Sequence, residues 1–390
     1  MSTDDGFSSD EERKEEEVIL LALLLNRKRK IWVHNINKKR NVFGEFHHLL
    51  DDLEDRFYTY FRMSEEYFEE LHCLLKHKLR KKNTNWRKAI GTRERLAIYL
   101  RYLATGASYS SIAFSYRVGV TTVATIVKET CEVIWTVLQP LYMPTPTDET
   151  WRKNELGYRH NMKYPNCVGT IDGKHVYLKC PPNSGTAFYC YKKRFSLILL
   201  GVVDPNYMFT VIDVGGYGKD SDNTIFENSA FYREYILGKE ILPPKPLPGF
   251  NDPMPHVLLG DEGFALEKYI MRPYDKRSAM RNEDMKTYNS YHNRARRISE
   301  NAFGILVQKW RIFHTPIECG INTACSLVKS ACCLHNFLRS KNIVTWSECH
   351  TFDTSTISLS AVTPLRPNIR RSNTEAFRVR EQFKTYFNVT

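Results

Sequence analysis

Two aspartates that each follow a short apolar run, with a glycine beside them, constrain this chain most strongly. Residues 167–171 lead directly into Asp172, and residues 256–259 lead across one glycine into Asp261. Apolar runs of this length predict buried strands. Because ligands gather outside the carboxyl ends of strands in α/β sheets, we expect the two carboxylates to converge.

A third carboxylate lies on a long helical pattern that runs from about Asp284 to Trp310. Glu300 follows Arg296 and Arg297 at spacings of four and three residues, which places the three side chains on one surface. Carboxylates that converge from two strands and a helix would form an oxygen-ligand site for Mg²⁺ or Mn²⁺. An ordinary surface ion-pair set is the alternative interpretation.

The segment before the strands predicts a helix-turn-helix unit at about residues 92–138. A helix that opens at Thr92 ends at Gly106, Ser108 can cap a short helix, and a turn at Gly119 leads into a second helix capped by Thr121. A plain helical bundle stays open as the alternative.

In a helix-turn-helix unit the second helix enters the major groove of DNA with its N-terminal residues leading. Here those residues are Thr121, Thr122 and Thr125, and Lys128 would lie near backbone phosphates. The charge balance favours such a partner, because 56 Lys and Arg residues face 44 Asp and Glu residues. We therefore expect DNA to be the partner.

No membrane segment or secretory signal is expected. The apolar run at residues 18–25 is too short to span a bilayer and follows an acidic stretch. Basic clusters at residues 26–30 and 38–40 are typical either of nuclear localisation signals or of solvated helix ends. We expect a nuclear protein, with a cytoplasmic pool if import depends on a partner.

The predicted architecture is an α/β protein whose catalytic domain follows an all-α domain. Its boundaries are a disordered N-terminal tail over residues 1–42, a helical domain over 43–150, a catalytic domain over 160–340 and a C-terminal tail with one short helix over 341–390.

Four stretches carry a family resemblance: VGTIDGKHV, GGYGKDSDNTIF, LLGDEGF and RARRISENAFGILVQKWRIF. They resemble successive blocks of the PIF/Harbinger transposase family, of the DDE superfamily, and of its domesticated relatives. The resemblance covers roughly residues 160–340, and the segments IWVHNINKKRNVFGEFHHLL and YFRMSEEYFEEL resemble the family's leading helical region.

The resemblance implies an RNase H-like catalytic domain in which Asp172, Asp261 and Glu300 are the catalytic, metal-holding triad, with Asp220 and Asp222 as second-tier ligands. Two metal ions about 4 Å apart would activate the attacking water and stabilise the leaving oxygen during DNA hydrolysis.

Several neighbouring side chains are candidates for DNA contact, namely Lys174, His175, Arg296 and Arg297. Lys174 and His175 either touch the scissile phosphate or alternate on a solvent-facing strand, whereas the two arginines can pair with backbone phosphates. A Myb-like DNA-binding partner protein is also implied by the resemblance.

Three functions remain open from the sequence. The first is an active metal-dependent DNA endonuclease, which the intact triad favours. The second is a domesticated, catalytically silent adaptor that binds DNA or chromatin proteins, and the third is a nuclease acting on RNA or hybrids. A homodimer is compatible with each of them.

Overall fold

The computed structural model describes residues 33–47, 56–85, 88–342, 362–363 and 374–389. Residues 1–32, for which the sequence predicts disorder, lie outside the described residues. The same holds for most of the C-terminal tail that the sequence predicts.

The N-terminal part of the chain is helical. Its helices are α1 (Asn35–Lys38), α2 (Arg40–Phe43), α3 (Phe57–Phe61), α4 (Glu65–Leu79), α5 (Thr92–Thr105), α6 (Tyr109–Tyr116), α7 (Val120–Tyr142) and α8 (Asp148–Gly157). The Ser64 hydroxyl caps α4 by accepting from the Tyr67 N–H. A left-handed Gly106 with φ +67° ends α5, where an added Cβ would lie 3.1 Å from the Arg311 carbonyl oxygen.

The expected helix pair is present, with one change at its second cap. The Ser108 hydroxyl accepts from the Ser111 N–H and starts α6 as predicted. Gly119, and not Thr121, is the N-cap of α7, and it provides no side-chain hydrogen bond. Thr121 instead lies inside the first turn, where its carbonyl accepts from the Thr125 hydroxyl at 2.9 Å.

Residues 35–43 are helical, although disorder is expected up to residue 42. The Arg117 guanidinium donates to the carbonyl oxygens of Phe43 at 3.1 Å and Ile36 at 3.4 Å. Arg40 lies 3.5 Å from the buried carboxylate of Glu94 on α5. These contacts dock α1 and α2 on the helices that follow, so the ordered chain begins before residue 43.

The central element is a mixed sheet. Its strands are β1 (Cys167–Leu178), β2 (Phe195–Val203), β3 (Phe209–Tyr217), β6 (Val257–Leu259) and β7 (Ile270–Met271), in the order β3-β2-β1-β6-β7. The first three strands pair antiparallel, whereas β6 is parallel to β1 and β7 is parallel to β6. A two-residue strand, β8 (Val362–Thr363), pairs with β1, and β4 (Lys245–Pro246) pairs separately with β5 (Pro253–Met254).

Helices cover both faces of this sheet. The remaining helices are α9 (Asp222–Asn228), α10 (Lys276–Arg281), α11 (Glu283–Lys309), α12 (Ile321–Asn342) and α13 (Thr374–Val389). Of these, α9, α11 and α12 pack on the strands, as does α8, whereas α10 and α13 pack on α11. On one face the Phe303 ring of α11 lies against Gly201 of β2, since a Cβ there would be 3.1 Å from the ring. On the other face Trp151 and Phe226 join a buried cluster with Ile198 and Leu200. The structure is therefore a mixed α/β layer arrangement with a helical N-terminal region.

The C-terminal helix is docked rather than loose. Phe383 and Phe387 of α13 are buried, and the Phe387 ring stacks on Tyr291 of α11 at 4.5 Å between centroids. The segment expected to be a tail thus contributes a helix that supports α11. Across the part of the chain that the structure describes, every helix is too short or too polar to cross a membrane.

Candidate active site

Asp172 and Asp261 leave the same point of the parallel strand pair. Thr170 of β1 is the register partner of Leu259 of β6, and each aspartate lies two residues further along its chain. The sequence predicts that β1 ends before Asp172, but the strand continues to Leu178 and buries Asp172 at mid-strand. The register nevertheless brings the two carboxylates close together. Burial, and next the charge of Asp172, therefore raise the pKa of Asp261.

Glu300 reaches the same region from α11. Its Oε1 lies 2.6 Å from Nη2 of Arg296 one helical turn earlier, and its side chain is 39% exposed. Both residues line a pocket of about 500 Å³ that also contains Asp261 and the exposed Arg297. Burial opposes the charge of Arg296, but Glu300, Asp172 and Asp261 together raise its pKa. This guanidinium therefore belongs to the carboxylate site.

Lys174 is buried inside the site. Its Nζ lies 2.6 Å from Oδ2 of Asp172, which shares its strand face, and 5.8 Å from the centroid of the Phe303 ring. Burial lowers the pKa of the ammonium, but Asp172, Glu300 and Asp261 outweigh it and raise the pKa. Lys174 is thus a buried counter-charge for Asp172. It does not face solvent, and its ammonium is not free to contact a phosphate, so neither interpretation made from the sequence fits.

His175 points to the opposite face and is fully buried. Its Nδ1 is 2.8 Å from the Ser196 hydroxyl, and burial with the charges of Lys192 and Lys174 lowers its pKa to about 4. The ring is therefore neutral and structural at physiological pH. This position does not suit the DNA contact expected from the sequence.

Asp222 contributes a fourth carboxylate at the start of α9, which Ser221 caps. It is fully buried, and neither carboxylate oxygen has a hydrogen-bond partner among the described residues. A Cβ added at Gly263 would lie 2.9 Å from an oxygen of Asp222 and 2.9 Å from one of Asp261, so the two carboxylates face each other across this glycine. Asp220, in contrast, is half-exposed in the turn before α9.

Burial is the main reason why the pKa of Asp222 lies well above its ordinary range, and the charges of Asp261 and Asp172 add to it. Lys174 acts in the opposite direction. An unpartnered buried carboxyl of this kind is unfavourable unless it holds a proton or meets a cation.

His292 is a site residue that the sequence interpretation missed. It lies on α11 one turn before Arg296 and two turns before Glu300, so the helical spacing was visible in the sequence. Burial lowers its pKa to about 3, which makes the ring neutral, and Nε2 donates to the Gly260 carbonyl at 2.9 Å. This bond ties the backbone just before Asp261 to the helix that carries Glu300.

The types of side chain at this site suit a divalent metal, whereas their present positions do not form a complete set of ligands. No three His, Cys, Asp or Glu side chains within the described ranges are grouped closely enough to hold a metal ion. Lys174 also pairs with one oxygen of Asp172, and Arg296 with one oxygen of Glu300. The donors are nevertheless all hard carboxylate oxygens, and Asp222 is an unsatisfied acceptor among them.

The residues expected to read DNA lie at the N-terminal end of α7. Thr121, Thr125 and Lys128 are exposed there, and Thr122 is half-buried. Gly119 precedes them at the cap, and Val123 of the first turn is buried against the rest of the protein.

Two parts of the chain match known protein families. Residues 171–336 match the family described as DDE superfamily endonuclease, and residues 43–136 match a domain of unknown function. The Arabidopsis thaliana protein named ALP1-like is 26% identical over 290 residues, which are 72% of this chain and 70% of the relative.

A second Arabidopsis thaliana relative is named antagonist of like heterochromatin protein 1. It is 25% identical over 261 residues, which are 64% of this chain and 63% of that protein. No solved structure matches the chain significantly. The resemblance to the DDE superfamily is confirmed over residues 171–336, the part of the chain that matches the endonuclease family.

Proposed function

We propose that this chain is an endonuclease that hydrolyses DNA phosphodiester bonds with a divalent metal, Mg²⁺ or Mn²⁺, held by Asp172, Asp261 and Glu300. The observation that carries the proposal is the pocket that Asp261, just after β6, and Glu300 of α11 line together. The buried Asp172 of β1 lies near it, two residues past the register pair Thr170–Leu259. Asp222 joins them from α9 and supplies acceptors that have no partner in the described structure.

The sheet supports an RNase H-like assignment for this domain. Three antiparallel strands are followed by two parallel ones in the order β3-β2-β1-β6-β7, with the first aspartate on the central strand and the second beyond its parallel neighbour. We place the catalytic domain at residues 160–340, with α13 packed against it.

The chemistry follows from the residue types. A bound divalent metal would lower the pKa of a water and stabilise the leaving oxygen. The protein's own groups would bind the metal through Asp172, Asp261 and Glu300, while His292 fixes the backbone before Asp261. Arg297 is exposed beside the pocket and is suited to a DNA phosphate.

The helical region at residues 43–150 would position the DNA. We propose that α6 and α7 act as a helix-turn-helix unit, with Thr121, Thr122 and Thr125 towards the bases and Lys128 towards the backbone. The net charge of +12 supports a polyanionic partner. Nuclear localisation and cooperation with a Myb-like protein belong to the same proposal.

Plasmid nicking tests the catalytic assignment. Purified wild-type protein with Mg²⁺ or Mn²⁺ should nick supercoiled DNA, whereas Asp172→Asn, Asp261→Asn and Glu300→Gln should lose nicking while keeping their fold. Asp213→Asn, which changes a carboxylate on β3 outside the site, is the matched control and should remain active. Nicking that survives in all three site variants would refute the assignment. Duplex, single-stranded and hybrid substrates would identify an RNase activity.

A second candidate function is a DNA- or chromatin-binding adaptor that does not cut. Two observations favour it: cations already pair with Asp172 and Glu300, and one relative is named for antagonism of a heterochromatin protein. Wild-type protein that binds DNA but nicks no more than the site variants, with a Myb-like partner added, would establish the adaptor.

A further inference from the structure

The carboxylate site contains two neutralised and two unneutralised acids. Lys174 pairs with Asp172 at 2.6 Å and Arg296 pairs with Glu300 at 2.6 Å. Asp222 and Asp261 have no such cation at hydrogen-bond distance in the described part of the chain. A divalent cation bound between them would supply the positive charge that both carboxyls lack.

The two unneutralised acids are also the pair that face each other. Gly263 lies between them and has no side chain. A Cβ at this position would lie 2.9 Å from one oxygen of Asp222 and 2.9 Å from one oxygen of Asp261. Asp261 Oδ1 accepts the Gly263 N–H at 2.8 Å, which fixes its orientation. Asp222 is fully buried and both its oxygens lack partners in the described residues. Two carboxylates with water in the remaining positions are a common Mg²⁺ environment.

Lys174 occupies the part of the site next to Asp172. The Lys174 side chain is 7% exposed and its Nζ lies 5.8 Å from the centroid of the Phe303 ring, so the ammonium is enclosed beside Asp172. A cation cannot share the same carboxylate oxygen with an ammonium at this distance, because like charges repel strongly in a buried environment. A metal at Oδ2 of Asp172 must therefore first displace Lys174.

We propose that the resting site binds one divalent cation between Asp222 and Asp261, and that the Lys174 ammonium occupies the place of a second one at Asp172. The inference rests on the proposed metal-dependent function and makes Lys174 the residue that sets how many metals bind. Asp222 then becomes a primary ligand, ahead of Asp172, in the protein without DNA.

Counting bound Mn²⁺ on the full-length protein without DNA tests this assignment. Free Mn²⁺ measured by electron paramagnetic resonance should give one tight site for the wild type, with a second site at least about tenfold weaker. Lys174→Met should gain a second tight site, since methionine can pack on Phe303 but carries no charge. Lys174→Arg keeps the charge and should bind one ion. Asp222→Asn should lose the tight site, whereas the half-exposed neighbour variant Asp220→Asn should keep it.

The outcomes separate this inference from the proposed function. Two equal sites in the wild type, or one site in a folded Lys174→Met protein, would refute the role of Lys174 while leaving the metal site intact. A tight site that survives Asp222→Asn would refute the ligand assignment. If neither the wild type nor Lys174→Met binds Mn²⁺, the proposed metal site itself is wrong. Circular dichroism melting of each variant confirms the fold.

Discussion

Arg296 and Glu300 are joined across one turn of α11 by a charge-assisted hydrogen bond of 2.6 Å, and Arg297 beside them is exposed. Adjacent arginines therefore have different surroundings. Arg296 holds a carboxylate in the site, whereas Arg297 is available to a ligand in the pocket.

The first prediction separates these two arginines. Arg296→Gln removes a charge-assisted bond of about 1.5–3 kcal/mol, so nicking at saturating DNA should slow about tenfold or more. Arg297→Gln should instead weaken the binding of all DNA sequences alike. The slope of log affinity against log salt concentration should fall by about one, as expected for the loss of one phosphate contact. Single-turnover nicking and binding at several salt concentrations measure the two effects. Equal losses of rate and affinity in both variants would contradict the division.

Much of this site could be predicted from the sequence because its elements have clear local patterns. The helix over residues 283–309 and the strands ending near Asp261 follow from hydrophobic spacing, and Arg296 and Glu300 follow from a four-residue interval. Tertiary packing decides the rest. The strand alternation at Lys174 and His175 suggested one solvent-facing side, but helices cover both faces of the sheet.

Other features depend on contacts that are distant in the chain. Asp222 is close to Asp261 only because α9 folds back over the sheet, and no local pattern distinguishes it from the half-exposed Asp220. Gly173 suggested the end of a strand, yet β1 continues because β2 pairs with it from Thr170 to Leu178. Pairing partners thus override a local break signal.

The second prediction concerns acid stability. Burial, with Arg339 and Lys309 nearby, lowers the pKa of His335 from 6.5 to about 4, and its Nε2 donates to the Tyr207 carbonyl at 2.7 Å. His175 and His292 have lowered pKa values for the same main reason. The folded protein thus binds fewer protons than the unfolded chain in this window. The contribution of these histidines to stability is therefore complete above about pH 6.5 and is lost as the pH falls towards 4.

Each such histidine should contribute about 1–3 kcal/mol to this loss. Urea unfolding at pH 7.5 and pH 5 measures it. His335→Gln keeps a donor for Tyr207 without titrating in this range, so its stability should change less between the two pH values than that of the wild type. An unchanged pH dependence in this variant would argue that His335 is already charged in the folded state.

The third prediction tests the recognition helix with two threonines in matched local settings. Thr125 and Thr136 are both exposed on α7, and each hydroxyl bonds the carbonyl four residues earlier, at 2.9 and 2.8 Å. Thr125→Val should change the preferred DNA sequence or weaken the best site about fivefold or more, because only this residue is near the leading end. Thr136→Val should bind like the wild type. Identical binding profiles would indicate that α7 belongs to a plain helical bundle.

Lys128 provides the fourth prediction on the same helix. It is exposed one turn after Thr125 and is expected to lie near a phosphate. Lys128→Gln should reduce affinity for every sequence alike and reduce the slope of affinity against salt by about one unit. Fluorescence anisotropy with specific and random duplexes at several salt concentrations measures this. A loss restricted to one sequence would instead mean base contact.

The last prediction concerns the support that α13 gives to the catalytic helix. Phe383 is fully buried, with its ring 5.3 Å from that of Tyr164 just before β1, whereas Phe377 on the same helix is 45% exposed. Phe383→Ala should cost about 3–5 kcal/mol of stability through the cavity it leaves, and Phe377→Ala should cost less than about 1 kcal/mol. Chemical denaturation of both variants measures the difference. If both lose little, α13 is a dispensable appendage; a large loss confined to Phe383→Ala makes it part of the domain that positions Glu300.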